Sequence, residues 1–241
     1  MEGVPQRDAT RIGADPIGDY VTVLAATLRG PRRTRAEMIT EARHSLEDAA
    51  AAFEDEGLEP LAARRRAVRE FGTHGQVVPA YQAELAAQQG RRTATWIALA
   101  LPLVNLLAPL MWWDSPWGAA EPASHLYWVL VDHFKAASFL AAGIAALVVA
   151  GFSWGSRYLR DGVRYTRIVG LGAVTFLGLH GLVGAAVFGL SVYQWPAAAT
   201  WPPALAGMAV NTAAFGYAGL LAVRCVQCTR TALRNRHAAI A

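Results

Sequence analysis

The alternation of apolar and polar positions divides this chain into two stretches. Over residues 17–90 apolar side chains recur every three to four positions, the repeat of an amphipathic helix. Ile17, Val21, Leu24 and Leu28 share one face of a helix predicted over 17–28. Gly30-Pro31 closes it, and Pro31 suits the start of the next helix. Helix two is predicted over 32–55, with Ile39, Ala42, Leu46, Ala49 and Phe53 in a narrow stripe of coiled-coil type. Either this stripe packs on helices one and three, or a partner protein or a second copy of the chain completes part of it. Glu54, Asp55 and Glu56 oppose the dipole at its carboxyl end, and Gly57 supplies the stop. Helix three, over 59–71, turns Leu61, Val68 and Phe71 inward and Arg64, Arg65, Arg66 and Arg69 outward. Gly72 and Gly75 bracket a turn. Helix four begins near residue 76, carries Val78, Tyr81 and Leu85, and runs into a linker over 88–92.

From residue 93 the polar half of the repeat disappears. A bilayer core of about 30 Å needs roughly 20 apolar residues in a helix. Four stretches qualify: 93–113, 134–154, 168–192 and 203–223. Pro102 and Pro109 fall in the first, where a membrane helix tolerates them better than a soluble one. Asp132, His133 and Lys135 interrupt the apolar run from Leu126 and set the start of the second. The fold class expected is all-α: a small cytoplasmic helical domain over 17–90, then a four-helix transmembrane bundle over 93–223. A flexible tail over 1–16 precedes them and a basic cytoplasmic tail over 224–241 follows.

Composition sharpens the division. The 241 residues are 54% hydrophobic and 17% charged, with a mean hydropathy of +0.25. A soluble domain is about one-quarter charged. Residues 1–92 carry 13 arginines against 14 carboxylates, net −1; residues 93–241 carry nine basic against four acidic residues, net +5. These figures exclude one globular core, a disulfide scaffold and a wholly disordered chain. Neither half has the basic face of a nucleic-acid binder, so no direct nucleic-acid partner is expected. Residues 1–16 lack the apolar run of a signal peptide. Of the 22 basic residues 21 are arginine, which with abundant alanine and glycine points to a high-GC bacterial genome.

The arginines also predict orientation. Arg91 and Arg92 precede span one, Arg157, Arg160, Arg164 and Arg167 separate spans two and three, and Arg224, Arg230, Arg234 and Arg236 follow span four. The other two loops, about 114–131 and 193–202, hold no Lys or Arg. The positive-inside rule then places both termini in the cytoplasm of a multi-pass cell-membrane protein. Trp112, Trp113, Trp117, Trp128, Trp195 and Trp201 would lie at the outer boundary, and Trp96 and Trp154 at the inner one.

The front stretch resembles a known family. Tyr20-Val21, Leu24, Leu28-Arg29-Gly30-Pro31-Arg32-Arg33, Glu41-Ala42-Arg43-His44-Ser45-Leu46-Glu47-Asp48, Gly57-Leu58, Ala67-Val68-Arg69-Glu70-Phe71-Gly72 and Ala80-Tyr81-Gln82-Ala83-Glu84-Leu85 together look like the HAAS domain, also called the permease prefix domain. The likeness covers about residues 18–88, and its joint spacing is more specific than any one piece. One departure is Thr73-His74-Gly75, where relatives often have a short Asp/Pro turn. The resemblance implies a cytoplasmic sensing or docking module ahead of membrane helices. Its partners would be transcription regulators of the PadR type or components of ABC transporters. It implies no catalysis and no cofactor.

Several constellations carry two readings. Glu41, His44, Glu47 and Asp48 lie within two turns of helix two. They form a docking surface with Phe53, Phe71 and Tyr81, or a solvated face; a metal shared by His44 and Asp48 lacks further ligands. Arg66, Arg69 and Glu70 suit local ion pairs, and Arg64, Arg65 and Arg66 could touch lipid headgroups. His180 falls at mid-span, where an ionisable residue faces protein or water. Gly178, Gly181 and Gly184 flank it, and Asn105 and Asn211 are its candidate partners, giving either an intramembrane sensing site or a neutral structural histidine. Gly151 and Gly155 offer a small-residue contact at the end of span two. Asp132, His133 and Lys135, with Asp114 and Glu121, form either an outer sensing patch or ordinary interfacial polarity. Cys225 and Cys228 are a redox pair or half a zinc site, or two free thiols. No nucleophile–base set, Walker loop or dinucleotide fingerprint is present, so no enzyme is expected; an intramembrane enzyme or channel would rest on His180 alone. The first reading is a membrane-anchored regulatory protein that docks a PadR-type regulator or a transporter component. The alternative is an accessory subunit of an ABC-type transporter complex.

Overall fold

The computed structural model describes residues 15–115, 124–154 and 162–238. Among these every regular element is helical: α1 (Pro16–Thr27), α2 (Arg32–Asp55), α3 (Pro60–Phe71), α4 (His74–Leu107), α5 (His125–Trp154), α6 (Gly162–Gln194) and α7 (Pro202–Ala238), with short 3-10 turns at Ala108–Trp112 and Pro196–Ala199. They form two compact units. One is built on residues up to 86 together with the stretch from 228; the other spans 87–227. The tail over 1–14, Trp117, Glu121, Gly155, Arg157 and Arg160 lie outside the described residues.

The front unit is held by a single apolar core. Ile17, Tyr20, Val21, Leu24 and Leu28 meet Ala42, Leu46 and Ala50 of α2, Ala67 of α3 and Val78 and Leu85 of α4. The stripe on α2 therefore lies in the unit's own core, with Ile39, Ala49 and Phe53 half-buried at its margin. On α3 the innermost side chains are Ala63 and Ala67, while Leu61, Val68 and Phe71 are only half-buried. Val68 and Phe71 still pack against the core as expected, and Leu61 does not. Alanine lets α3 lie close on its neighbours, which pushes the larger side chains to the flanks.

The helix ends have identifiable causes. Gly57 takes φ +94°, while Leu58 N–H donates to Phe53 O at 3.1 Å and Gly57 N–H to Glu54 O at 2.9 Å. This is a Schellman stop of the kind glycine permits. The acidic end of α2 does not stay uncompensated, because Glu56 meets Arg66 at 3.5 Å. Arg66 also pairs with Glu70 at 2.9 Å and lies 4.2 Å from the Phe53 ring centroid. The Glu59 carboxylate caps α3 by accepting Ala62 N–H at 3.1 Å. At α4, Thr73 is the N-cap: Gln76 Oε1 accepts from Thr73 N–H at 3.0 Å. That capping-box bond starts the helix at His74, two residues before the expected position.

Two buried polar ties lock the front unit. Gln82, fully buried, accepts Arg29 N–H at 2.9 Å and donates to Arg29 O at 2.6 Å. It thereby satisfies both backbone groups of a residue just past α1. Beside it Gly30 lies so close to Leu85 that an added Cβ would sit 3.1 Å from the leucine side chain. Tyr20 donates its hydroxyl to Gly72 O at 3.0 Å and stacks on His74 at 4.1 Å. Burial pushes its phenol above the ordinary value near 10, so the donating, neutral form persists at physiological pH.

The second unit has the inverse distribution of polarity. Leu99, Leu106, Leu140, Leu147 and Leu182 face outward, while Asn105, Ser138, Thr166, His180 and Ser191 are buried. Its core is lined by small residues, with Ala94, Ala142, Ala145, Ala218 and Ala222 around Ile97, Leu101 and Leu177. Close helix approach through small residues, with apolar side chains turned out, is the packing expected in lipid. The four helices are long and apolar enough to cross a membrane.

The helices outrun the apolar stretches. At 1.5 Å per residue the 30 residues of α5 reach about 45 Å, well beyond a 30 Å core. Asp132, His133 and Lys135 therefore lie within α5, which starts at residue 125 and not 134. The expected spans 93–113, 134–154, 168–192 and 203–223 are the apolar portions of longer helices, and the supposed tail from 224 continues α7 to Ala238. Span one instead ends early, in the 3-10 turn from Ala108, where Pro109 offers no N–H to the ladder.

The expected linker at 88–92 is also helical, because α4 is continuous through it. Gln89 Nε2 donates to Leu221 O at 3.0 Å, and Thr93 Oγ1 lies 3.2 Å from the same carbonyl. A Cβ on Gly90 would sit 3.0 Å from Phe152 and 2.9 Å from Thr166. Gly90 serves close helix packing, not flexibility.

Candidate functional site

Three groups of side chains carry the candidate chemistry, and the helices hold them differently. On α2 the core stripe turns Glu41, His44, Glu47 and Asp48 to the opposite face, where all four are exposed. None makes a hydrogen bond or ion pair among the described residues, although Glu41 raises the Tyr81 phenol pKa electrostatically, after burial. Phe53, Phe71 and Tyr81 are placed differently. Each is half-buried against the front unit's core, and Phe71 meets Tyr20 edge-on at 5.8 Å. They lie half-buried at the margin of that core, whereas the acidic residues and His44 are exposed.

The second group is inside the bundle. His180 is 4% exposed. Its ring is stacked 3.8 Å from Phe134 of α5, 5.0 Å from Phe176 and 5.3 Å from Phe215 of α7. Nε2 lies 2.9 Å from Ser138 Oγ, and Ser138 also bonds Phe134 O at 2.9 Å. A serine has one hydrogen, and a carbonyl can only accept. Ser138 therefore donates to Phe134 O and accepts from His180 Nε2–H, which places a proton on Nε2.

The expected partners of His180 are not its partners. Asn105 donates back to Leu101 O of its own helix at 2.9 Å, and Asn211 Oδ1 is buried without a hydrogen-bond partner among the described residues. Only one of the three glycines lies in a close contact: a Cβ at Gly184 would be 3.3 Å from Phe134, whereas Gly178 and Gly181 face open space. The physical reason is rotational. Facing α5 with His180 and Gly184, four residues apart on one row of α6, turns positions 178 and 181 away.

The third group lies where α5 begins and α6 ends. Tyr127 contacts Trp195 at 5.6 Å and Trp128 at 5.6 Å, and Trp112 contacts Trp195 at 6.2 Å. Gln194 Oε1 accepts Ser124 N–H at 2.8 Å. Three of the tryptophans expected at the outer boundary, Trp112, Trp128 and Trp195, are thus joined by ring contacts. Asp132 and His133 are exposed and Lys135 half-exposed. His133 Nδ1 bonds Val129 O of its own helix at 2.7 Å, and no ion pair joins Asp132 to Lys135 among the described residues. Asp114 is exposed with φ 55°. This set stays a polar rim and does not converge on a pocket.

Cys225 and Cys228 are buried, unoxidised thiols. Cys225 Sγ lies 3.6 Å from Thr166 O, and a Cβ on Gly170 would be 3.1 Å from it. The pair packs against the protein and gathers no further ligands: no group of three or more His, Cys, Asp or Glu could hold a metal among the described residues. Sequence reasoning missed the buried amides and hydroxyls, above all Gln82, Gln89 and Ser138. Only Thr73-His74-Gly75-Gln76 offered a readable signal, the capping-box spacing. No family model matches the chain, and no curated protein or solved structure is significantly similar to it.

Proposed function

We propose that this chain is a regulatory membrane protein whose front helical unit docks a cytoplasmic transcription regulator of PadR type or a transporter component. The observation that carries the reading is the exposed face of Glu41, His44, Glu47 and Asp48, which takes no part in the internal bonding of its own domain. Residues that fold the unit lie on the other side of α2. The acidic face is therefore free for another protein, and its charge suits a partner with a basic patch. The HAAS-like pattern over 18–88 favours the same role. The distribution of arginines favours both termini in the cytoplasm, which puts this face where such regulators work.

The test uses the full-length chain in nanodiscs and a purified PadR-type regulator from the same organism. The wild type should bind, and the triple reversal Glu41→Lys, Glu47→Lys, Asp48→Lys should weaken binding by at least about tenfold. Helicity should be unchanged, since these side chains are exposed. Absence of wild-type binding, or equal binding by the reversal, would overturn the proposal.

One observation favours the alternative of a subunit within an ABC-type transporter complex. Gly178, Gly181 and Gly189 of α6 face open space, and Ala185 between them is exposed. Such a small-residue stripe admits a helix from another membrane protein at close range.

A further inference from the structure

The second unit has one more feature that the docking reading does not use. Arg92, Trp96, Ala100 and Val104 follow one another at four-residue intervals, which aligns them in a row down α4. The row covers about 18 Å at the helical rise. Opposite it, Ala214, Phe215 and Ala218 of α7 complete a shallow apolar groove. Its walls are apolar, and alanines at 100, 214 and 218 keep its floor open. Trp96 is held at one end by donating Nε1–H to Ala214 O at 3.3 Å and by an edge contact to Tyr217 at 4.7 Å.

Charge is concentrated at that same end. Arg92 Nη2 donates to the Tyr217 hydroxyl at 2.7 Å, and Arg91 beside it is exposed. Tyr217 accepts this bond, and among the described residues its own hydrogen has no acceptor. Neither segment offers a counter-charge, since residues 87–107 and 202–227 contain no Asp or Glu. A guanidinium that among the described residues pairs with a phenol alone, next to a second arginine and at the mouth of an apolar groove, matches one amphipathic chemistry. We propose that this groove binds an anionic glycerophospholipid, with one acyl chain along Trp96, Ala100 and Val104 and the phosphate on Arg92 and the Tyr217 hydroxyl. Arginine offers several N–H donors to a phosphate after giving one to Tyr217. The adjacent Trp and Tyr are of the type that sits at the headgroup level. The inference rests on the four membrane helices and not on the docking role, so a chain that failed to bind any regulator could still hold this lipid.

Native mass spectrometry of the full chain, exchanged against equimolar phosphatidylglycerol and phosphatidylcholine, reads the site directly. The wild type should retain one phosphatidylglycerol, favoured over phosphatidylcholine by about fivefold or more, the factor that one arginine near an anionic headgroup supplies. Arg92→Gln should abolish the preference while the chain keeps its helicity. Arg224→Gln, which removes a cation elsewhere on α7, should keep it. Ala100→Trp should fill the groove and reduce retention of both lipids. Equal retention of the two lipids by the wild type would overturn the proposal, as would a preference that survives Arg92→Gln or falls equally with Arg224→Gln. If Ala100→Trp fails to fold, the arginine pair decides alone, because both side chains are exposed.

Discussion

Replacing Leu46 with alanine should unfold the front unit while leaving the membrane helices intact. Leu46 is completely buried and sits in the core where α1, α2 and α3 converge. Truncating a buried leucine costs about 2–5 kcal/mol, through lost transfer energy and the cavity left behind. A unit of this size has a total stability of only about 4–10 kcal/mol, and small domains bury proportionately little surface. The substitution thus removes a large part of what holds the fold. Limited proteolysis of the full chain in nanodiscs should show new cleavage sites within residues 16–86, and the acidic face should lose partner binding. Leu46→Met, which keeps most of the volume, should cost less than about 1.5 kcal/mol and stay protected. Protection of the alanine variant equal to wild type would mean that the core is not where these contacts place it.

The second large effect concerns His180. Its ring is packed by Phe134, Phe176 and Phe215 and bonded to Ser138. Hydrogen bonds between membrane helices average about 0.6 kcal/mol, because the reference state also finds partners. A large-to-small change at a packed site costs several times more, about 2–4 kcal/mol. His180→Ala should therefore lower the thermal midpoint of the detergent-solubilised chain markedly. Ser138→Ala and His180→Phe, which remove the bond but keep the packing, should lower it little. Near-UV circular dichroism during heating follows the aromatic environment and distinguishes the three. If Ser138→Ala proved as damaging as His180→Ala, the hydrogen bond would be the dominant element and stacking secondary.

The sequence makes the fold legible where one physical signal dominates. Four apolar runs identify four membrane helices because desolvating the backbone in lipid leaves few alternatives. The stripe Ile39, Ala42, Leu46, Ala49 and Phe53 identifies the buried side of α2 for a similar reason, since one face had to find a core. Boundaries were less legible, because a helix continues past the membrane without needing apolar residues. Asp132, His133 and Lys135 look like an interruption along the chain, yet in α5 they are ordinary exposed positions. Gly90 looks like part of a linker, but its missing side chain serves the approach of Phe152 and Thr166.

The candidate site divides in the same way. Glu41, His44, Glu47 and Asp48 were legible as one exposed face because helical spacing alone decides it. Phe53, Phe71 and Tyr81 were not separable from that face, since spacing does not say how far a ring at the edge of a stripe turns inward. His180 was legible as a buried residue, but its partner was not. Which neighbouring helix meets it depends on the rotation of α5 against α6, and a serine gives no more signal than the asparagines at 105 and 211. The tie between Gln82 and Arg29 shows the limit most plainly, because a glutamine whose partner is backbone 53 residues away leaves no local pattern.

A single-cysteine labelling experiment tests most directly whether a cytoplasmic docking unit is carried by a four-span anchor. In a Cys225→Ala, Cys228→Ala background, Ser45→Cys on the exposed side of α2 and Ser124→Cys ahead of α5 would each be treated with a membrane-impermeant maleimide. Both positions are exposed. In intact cells Ser124→Cys should label at once, and Ser45→Cys should label only after permeabilisation. Labelling of Ser45→Cys in intact cells, with Ser124→Cys protected, would place the front unit outside and contradict the proposed function.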